Sequence, residues 1–123
     1  MIGRILLDEN MAFDLRRALS DFNIATVRYM GWASLKNGEL LTAAETAGFA
    51  VFVTGDKTIQ FEQNFVGRKI AVVSLSVPHW PLVKNHIGKI ALAIEGATPG
   101  SFTRVSCGVF SRPKRKLKGP EMG

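Results

Sequence analysis

Cysteine is nearly absent from this sequence of 123 residues, with Cys107 standing alone. A single thiol closes no internal disulfide, which excludes a disulfide scaffold and fits a reducing cytoplasm. Cys107 itself reads as a small hydrophobe. Long apolar runs are missing too: the longest span four or five residues, against the roughly 20 that cross a bilayer. No leader pattern of charge, apolar stretch and small residues opens the chain, so neither membrane insertion nor export is expected. The sequence holds no phosphate-binding P-loop, no G-x-G-x-x-G, no G-x-S-x-G and no paired cysteines for zinc, which removes the commonest nucleotide, hydrolase and zinc-site classes. His79 and His86 have no carboxylate near them in sequence and read as surface or packing residues.

Hydrophobic residues are plentiful, at 46%, and the stretches ILL, VFV and IAVV supply a buried core for one domain of ordinary size. The net charge of +6 is unevenly spread. Residues 111–123 carry Arg112, Lys114, Arg115, Lys116 and Lys118 against Glu121, a net +4, leaving +2 for the 110 residues before them. That tail lacks the apolar content to fold, so a folded domain over residues 1–110 and a basic, disordered tail over 111–123 are expected. A basic tail attracts polyanions without choosing among them, or serves only as a solubilising end.

Strand and helix patterns alternate along the chain. Residues 2–7 read as a strand, Met11 to Asp21 as an amphipathic helix, and Ile24 to Val27 as a second strand. A loop from Tyr29 to Asn37 leads to a helix over about Glu39 to Ala47, closed by Gly48. Phe49 to Val53 and Lys69 to Leu75 read as strands buried on both faces, with a short helix over Ile59 to Asn64 between them. A last helix over 82–95 and an edge strand over Ser101 to Val105 complete the series. Such alternation predicts an α/β fold with a mainly parallel sheet of about five strands and helices on both faces. In that architecture the ligand site lies outside the carboxyl ends of the strands, where the strand order reverses.

Two of those strands run straight into acids. Asp8 follows Ile5, Leu6 and Leu7, and Asp56 follows Val51, Phe52 and Val53 after two small residues. Carboxylates brought close repel one another unless a positive group sits between them, and an all-oxygen site that keeps several waters suits Mg²⁺ or Mn²⁺. Glu39, in the first turn of its helix, is a third candidate ligand, its other role being a helix N-terminal acid. Glu9 and Asn10 extend the cluster, although neighbours on a strand point to opposite faces and Asn10 also suits a helix cap. Thr54 is placed to hydrogen-bond a ligating carboxylate. Lys57 reads either as a phosphate contact or as a solvated lysine. Trp32, Trp80 and Phe61 suit base stacking, with core packing the simpler role.

Taken together, ILLDEN, the block GWASLKNGELLTAAETAGFAVFVTGDKTIQFEQNFVGRKIAVVSLS, and WPLV followed by a helix and ATPGSFTRV resemble the PIN-like proteins related to VapC-type toxins. The resemblance covers residues 1 to about 105. It implies a three-layer α/β/α sandwich and a Mg²⁺- or Mn²⁺-dependent ribonuclease site in which Asp8, Glu39 and Asp56 match the family's acids. It also implies RNA as substrate, an antitoxin protein as partner, and a homodimer, for which the apolar WPLV region offers a surface. Metal-assisted hydrolysis, without a covalent enzyme intermediate, would be the reaction. Two departures stand out. Many relatives carry an acid two residues after the one matched by Asp56, where this chain has Thr58, and acids just before the helix glutamate, where it has Lys36 and Asn37. A PIN-like binding module without catalysis is the second expectation. A phospho-receiver domain is a third, weakened because Ser106 and Cys107, not a lysine, stand just after the fifth strand.

Overall fold

The computed structural model describes residues 3–108; the basic tail of 111–123 lies outside the described residues. The five strands are β1 (Arg4–Leu7), β2 (Ile24–Thr26), β3 (Phe49–Thr54), β4 (Ala71–Leu75) and β5 (Phe102–Val105). They form one sheet in the order β2-β1-β3-β4-β5, and every neighbouring pair is parallel. The central strands β3 and β4 need no alternation of polar and apolar residues because both of their faces are covered, as a parallel sheet between helices requires.

Two cores result, one on each face. Ile5, Leu7, Val51, Val53, Val73 and Leu75 point toward Leu15 of α1 (Phe13–Ala18), Val83 of α4 (Trp80–Val83) and Ile90 and Ile94 of α5 (Ile87–Glu95). On the other face Leu6, Phe52 and Val72 meet Leu40, Leu41 and Ala44 of α2 (Asn37–Thr46) and Ile59 of α3 (Ile59–Glu62). The architecture is therefore a three-layer α/β/α sandwich. Alternate residues of each strand feed alternate cores, which explains why the apolar runs are continuous yet short.

Several boundaries differ from those read off the sequence. Helix α1 starts at Phe13 and ends at Ala18, because Ala12 is extended (ψ 140°) and Met11 is held in a turn by its N–H to the Asp8 carbonyl at 3.1 Å. Helix α2 begins two residues earlier than expected, at Asn37. The last helix is broken: α4 with Pro81 in its first turn passes through a 3₁₀ turn over Lys84–His86 before α5. At His86 the backbone (φ −127°, ψ 22°) leaves helical geometry, so the apolar stripe continues across two short helices. Cys107 is fully buried, packed in the core on the α5 side. Among the described residues no helix is long and apolar enough to cross a membrane.

Candidate functional site

The order β2-β1-β3-β4-β5 reverses between β1 and β3: the chain leaves β1 toward one edge of the sheet and returns on its other side. Loops diverge at such a point and leave a crevice at the carboxyl ends. Asp8 and Asp56 follow the two strands that flank it. The Asp8 N–H donates to the Val53 carbonyl at 2.9 Å, extending the β1–β3 ladder by one residue, so the Asp8 backbone is as firmly placed as the strand.

Thr54, the last residue of β3, is fully buried and joins the two acids. Its hydroxyl donates to Asp8 Oδ2 at 2.6 Å and accepts the Asp56 N–H at 3.0 Å. Asp8 Oδ1 also accepts the N–H of Glu9 at 2.8 Å. Asp56 is more heavily bonded. Its Oδ1 accepts both the N–H and the hydroxyl of Thr58, each at 2.8 Å, and its Oδ2 accepts the amide Nδ2 of Asn37 at 3.0 Å. The same Asn37 amide reaches Glu62 Oε1 at 3.2 Å, so α2, α3 and the loop after β3 meet at Asp56.

Asn37 and Thr58, both neutral, thus hold the donors on Asp56. Acids there would have repelled its charge; neutral donors stabilise it. The two carboxyls are shifted in opposite directions as a result. Burial pushes Asp8 above its ordinary value, with the charges of Asp56 and Glu9 adding to the push and the Thr54 and Glu9 hydrogen bonds opposing it. Burial would raise Asp56 as well, but the hydrogen bonds from the Thr58 N–H, the Asn37 amide and the Thr58 hydroxyl outweigh it and hold the group below its ordinary value.

The other predicted residues fall around this pair. The side chain of Asn10 accepts the Gly55 N–H at 3.4 Å and does not cap α1, whose N-cap is Ala12. Glu9 is exposed and pairs loosely with Arg28 at 3.6 Å. Glu39 is exposed, and its Oε1 accepts the Lys36 N–H at 3.3 Å, one half of a capping box at the start of α2. Lys57 is exposed in the loop that carries Asp56. The tail residues Arg112, Lys114, Arg115, Lys116 and Lys118 lie outside the described residues. Among the described residues no group of three or more histidine, cysteine, aspartate or glutamate side chains is gathered closely enough to hold a metal ion.

Sequence reasoning passed over several residues of this edge. Thr58 and Asn37 stand in the sequence only as neutral residues where acids were expected, although a threonine two residues after an aspartate is the usual signature of an Asx turn. Ser74 is level with Thr54 on the neighbouring strand, fully buried, and its hydroxyl has no hydrogen-bond partner among the described residues. Two of the three aromatic residues take the simpler packing role, and Phe61 does not. Trp32 packs edge-to-face on Phe49 with ring centres 5.9 Å apart, and Trp80 packs against the opposite core. The exposed rings among the described residues are Phe61 and, in addition, Phe13 and Tyr29, at 82%, 65% and 81% exposure.

Comparison of the chain with family models, with curated proteins and with solved structures gives no match.

Proposed function

We propose that the chain is a divalent-cation-dependent hydrolase of RNA phosphodiesters, with Asp8 and Asp56 as its principal acids. One observation carries the proposal: a single buried hydroxyl, that of Thr54, links the two carboxylate-bearing loops at the point where the strand order reverses. Purely structural loop acids would not call for a half-buried Asp8 whose charge is opposed by burial and by Asp56 at once. Groups shifted in this way by burial and a specific charged neighbour cluster at functional crevices.

The donor set fits a small, well-hydrated cation. Asp8 accepts two hydrogen bonds, and an ionised carboxylate has about four acceptor positions, so part of its capacity is open. Asp56 is closer to saturation, with three such bonds. Mg²⁺ typically binds one or two carboxylates and keeps several waters, and this arrangement offers that number. Asp8 would be the main ligand and Asp56 the second. Glu39, engaged with the Lys36 N–H, would join through water at most. When bound, such a cation activates water and neutralises charge on the phosphate. The chain's own residues do the rest: Thr54 fixes the plane of the Asp8 carboxylate, Thr58 and Asn37 keep Asp56 ionised and still, and Lys57 adds positive charge to the same loop.

The test is cleavage of a mixed RNA substrate by the purified full chain in Mg²⁺ or Mn²⁺, compared with Asp8→Asn and Asp56→Asn. Cutting by the wild type and loss of at least a hundredfold in each variant are expected. No cutting by the wild type in either ion, together with ion binding unchanged in both variants, refutes the proposal. The three hydrogen bonds on Asp56 favour a second reading, a binding module of the same fold without catalysis. Retained RNA binding without cleavage would select it. The hydrolase reading extends to a cytoplasmic toxin restrained by an antitoxin protein, for which growth arrest on expression, relieved by Asp8→Asn, is the expected outcome.

A further inference from the structure

The exposed aromatic rings among the described residues follow the first three strands, with the helix of Phe13 on one face of the sheet and that of Phe61 on the other. Phe13 opens the helix after β1, Tyr29 follows β2, and Phe61 lies in the helix after β3, so all three stand in the segments that leave the carboxyl ends of the first three strands. Single exposed apolar residues are ordinary, but a set of rings on the edge that also carries two functional acids calls for a partner. Phe13 and Tyr29 line the same groove, of about 620 Å³, between α1 and the outer edge of β2. Arg16 and Arg28 also line it, and Asp8 stands in its wall. A second hollow of about 350 Å³, which shares Arg16 with the groove, adds Arg17.

We infer that this groove binds single-stranded RNA. The rings of Phe13 and Tyr29 stack on bases, Arg16 and Arg28 meet phosphates, and the strand is led to Asp8. Every base has a flat face, so rings accept any sequence, while guanidinium groups track the backbone. Charge complementarity points to a polyanion: Arg16, Arg17 and Arg28 are exposed, and Glu9 occupies Arg28 only loosely, at 3.6 Å. A strand-adding peptide is the other class that an open β2 edge admits. Two rings and three arginines around a groove that contains Asp8 favour the nucleic acid. The inference rests on the hydrolase reading for what happens at Asp8, but not for binding itself.

The test is the fluorescence anisotropy of an end-labelled ten-residue oligouridine with the full chain, in EDTA, over a series of salt concentrations. Phe13→Ala with Tyr29→Ala removes no charge. It is expected to weaken affinity by roughly 5- to 100-fold per ring, with the salt slope unchanged. Arg16→Ala with Arg28→Ala is expected to lower the salt slope by about 1.4, at about 0.7 per lost phosphate contact on a single strand. All four side chains are at the surface, so an unchanged urea midpoint checks that each variant is folded. Wild-type affinity in both double variants, or no binding by the wild type, overturns the inference and leaves the β2 edge to a peptide. If the wild type cuts RNA and the groove variants cut and bind as it does, the groove assignment fails alone. If the groove variants lose binding and the wild type cuts nothing in Mn²⁺, the groove stands and the hydrolase reading fails.

Discussion

Replacing Thr54 by valine removes one oxygen atom from the centre of the candidate site while nearly preserving shape. Thr54 is fully buried, and its hydroxyl makes two bonds, a donation to Asp8 Oδ2 at 2.6 Å and an acceptance from the Asp56 N–H at 3.0 Å. The first involves a charge and is worth roughly 1.5–3 kcal/mol; the second is neutral and worth roughly 0.5–1.5 kcal/mol. Thr54→Val should therefore destabilise the chain by about 2–4 kcal/mol, and valine's similar volume leaves little cavity to add to this. Urea unfolding followed by the fluorescence of Trp32 and Trp80 measures it. With m on the order of 1–3 kcal/mol/M, the midpoint falls by about 0.7–4 M at constant m. Thr54→Ser keeps both bonds and loses one methyl group, so about 1 kcal/mol is expected. The Thr54 bond lowers the Asp8 pKa, so its loss pushes the already raised carboxyl higher still. A folded pKa raised above the unfolded value contributes stability that is present at low pH and lost as pH rises through the folded value. The deficit of Thr54→Val is thus largest at neutral pH and shrinks on acidification past the Asp8 pKa. A variant within about 0.5 kcal/mol of wild type at pH 7, or a serine variant as unstable as valine, refutes the two-bond account.

Ser74→Ala deletes a buried hydroxyl that has no partner among the described residues; a gain in stability of up to about 1 kcal/mol is expected in thermal unfolding, and a loss above that would reveal a bond to the hydroxyl. Gly48 and Gly100 both have positive φ, +88° and +77°, but a Cβ at Gly48 meets nothing within 4 Å, whereas one at Gly100 would sit 3.0 Å from the Phe65 carbonyl oxygen and 3.1 Å from that of Arg68. Gly48→Ala should cost about 1 kcal/mol and Gly100→Ala clearly more, about 2–3 kcal/mol, in parallel urea titrations. Glu45 accepts the Lys69 and Ile70 N–H groups at 2.6 and 3.2 Å and pairs with Arg68 at 2.9 Å. Burial alone would raise its carboxyl, and these donors outweigh burial and hold it below its ordinary value. Its stabilising contribution is therefore present above the unfolded carboxylate pKa and lost as pH falls. Glu45→Gln should lower stability by about 1 kcal/mol at pH 7 and flatten the acid limb of a stability-against-pH curve, whereas an unchanged acid limb would count against the carboxylate's role.

The pattern of elements was legible because it rests on local periodicity. Continuous apolar runs at Phe49–Val53 and before Leu75 required two covered faces, and five parallel strands with helices on both sides follow. The edge shared by Asp8 and Asp56 was legible for the same reason, since parallel strands end together. Strand order is not local: nothing in the residues of β2 states that it lies outside β1, so the reversal between β1 and β3 emerges only from the pairing. The early end of α1 and the break at His86 were hidden because the apolar stripe continues across both interruptions. Leu19 stays buried one residue past α1, and Val83 and Ile87 sit on either side of the 3₁₀ turn. Side-chain bonds over long separations, such as Asn37 to Asp56 across 19 positions, leave no periodic trace at all.

Those long-range bonds decide how the two acids differ. Asp8 and Asp56 leave neighbouring parallel strands and share one threonine, so symmetry of position would suggest equal roles. Their surroundings separate them. Asp56 is turned into a fixed point by Thr58 and Asn37, and its charge is already stabilised by neutral donors before any ligand arrives. Asp8 keeps fewer donors, more burial and two like charges nearby. A cation placed at this edge would gain most at Asp8, where the uncompensated charge resides, and would find Asp56 held in place beside it by neutral side chains. On the proposed reading, neutral donors at positions 37 and 58 favour one ion centred on Asp8, because a second ion would need carboxylates that those two positions lack.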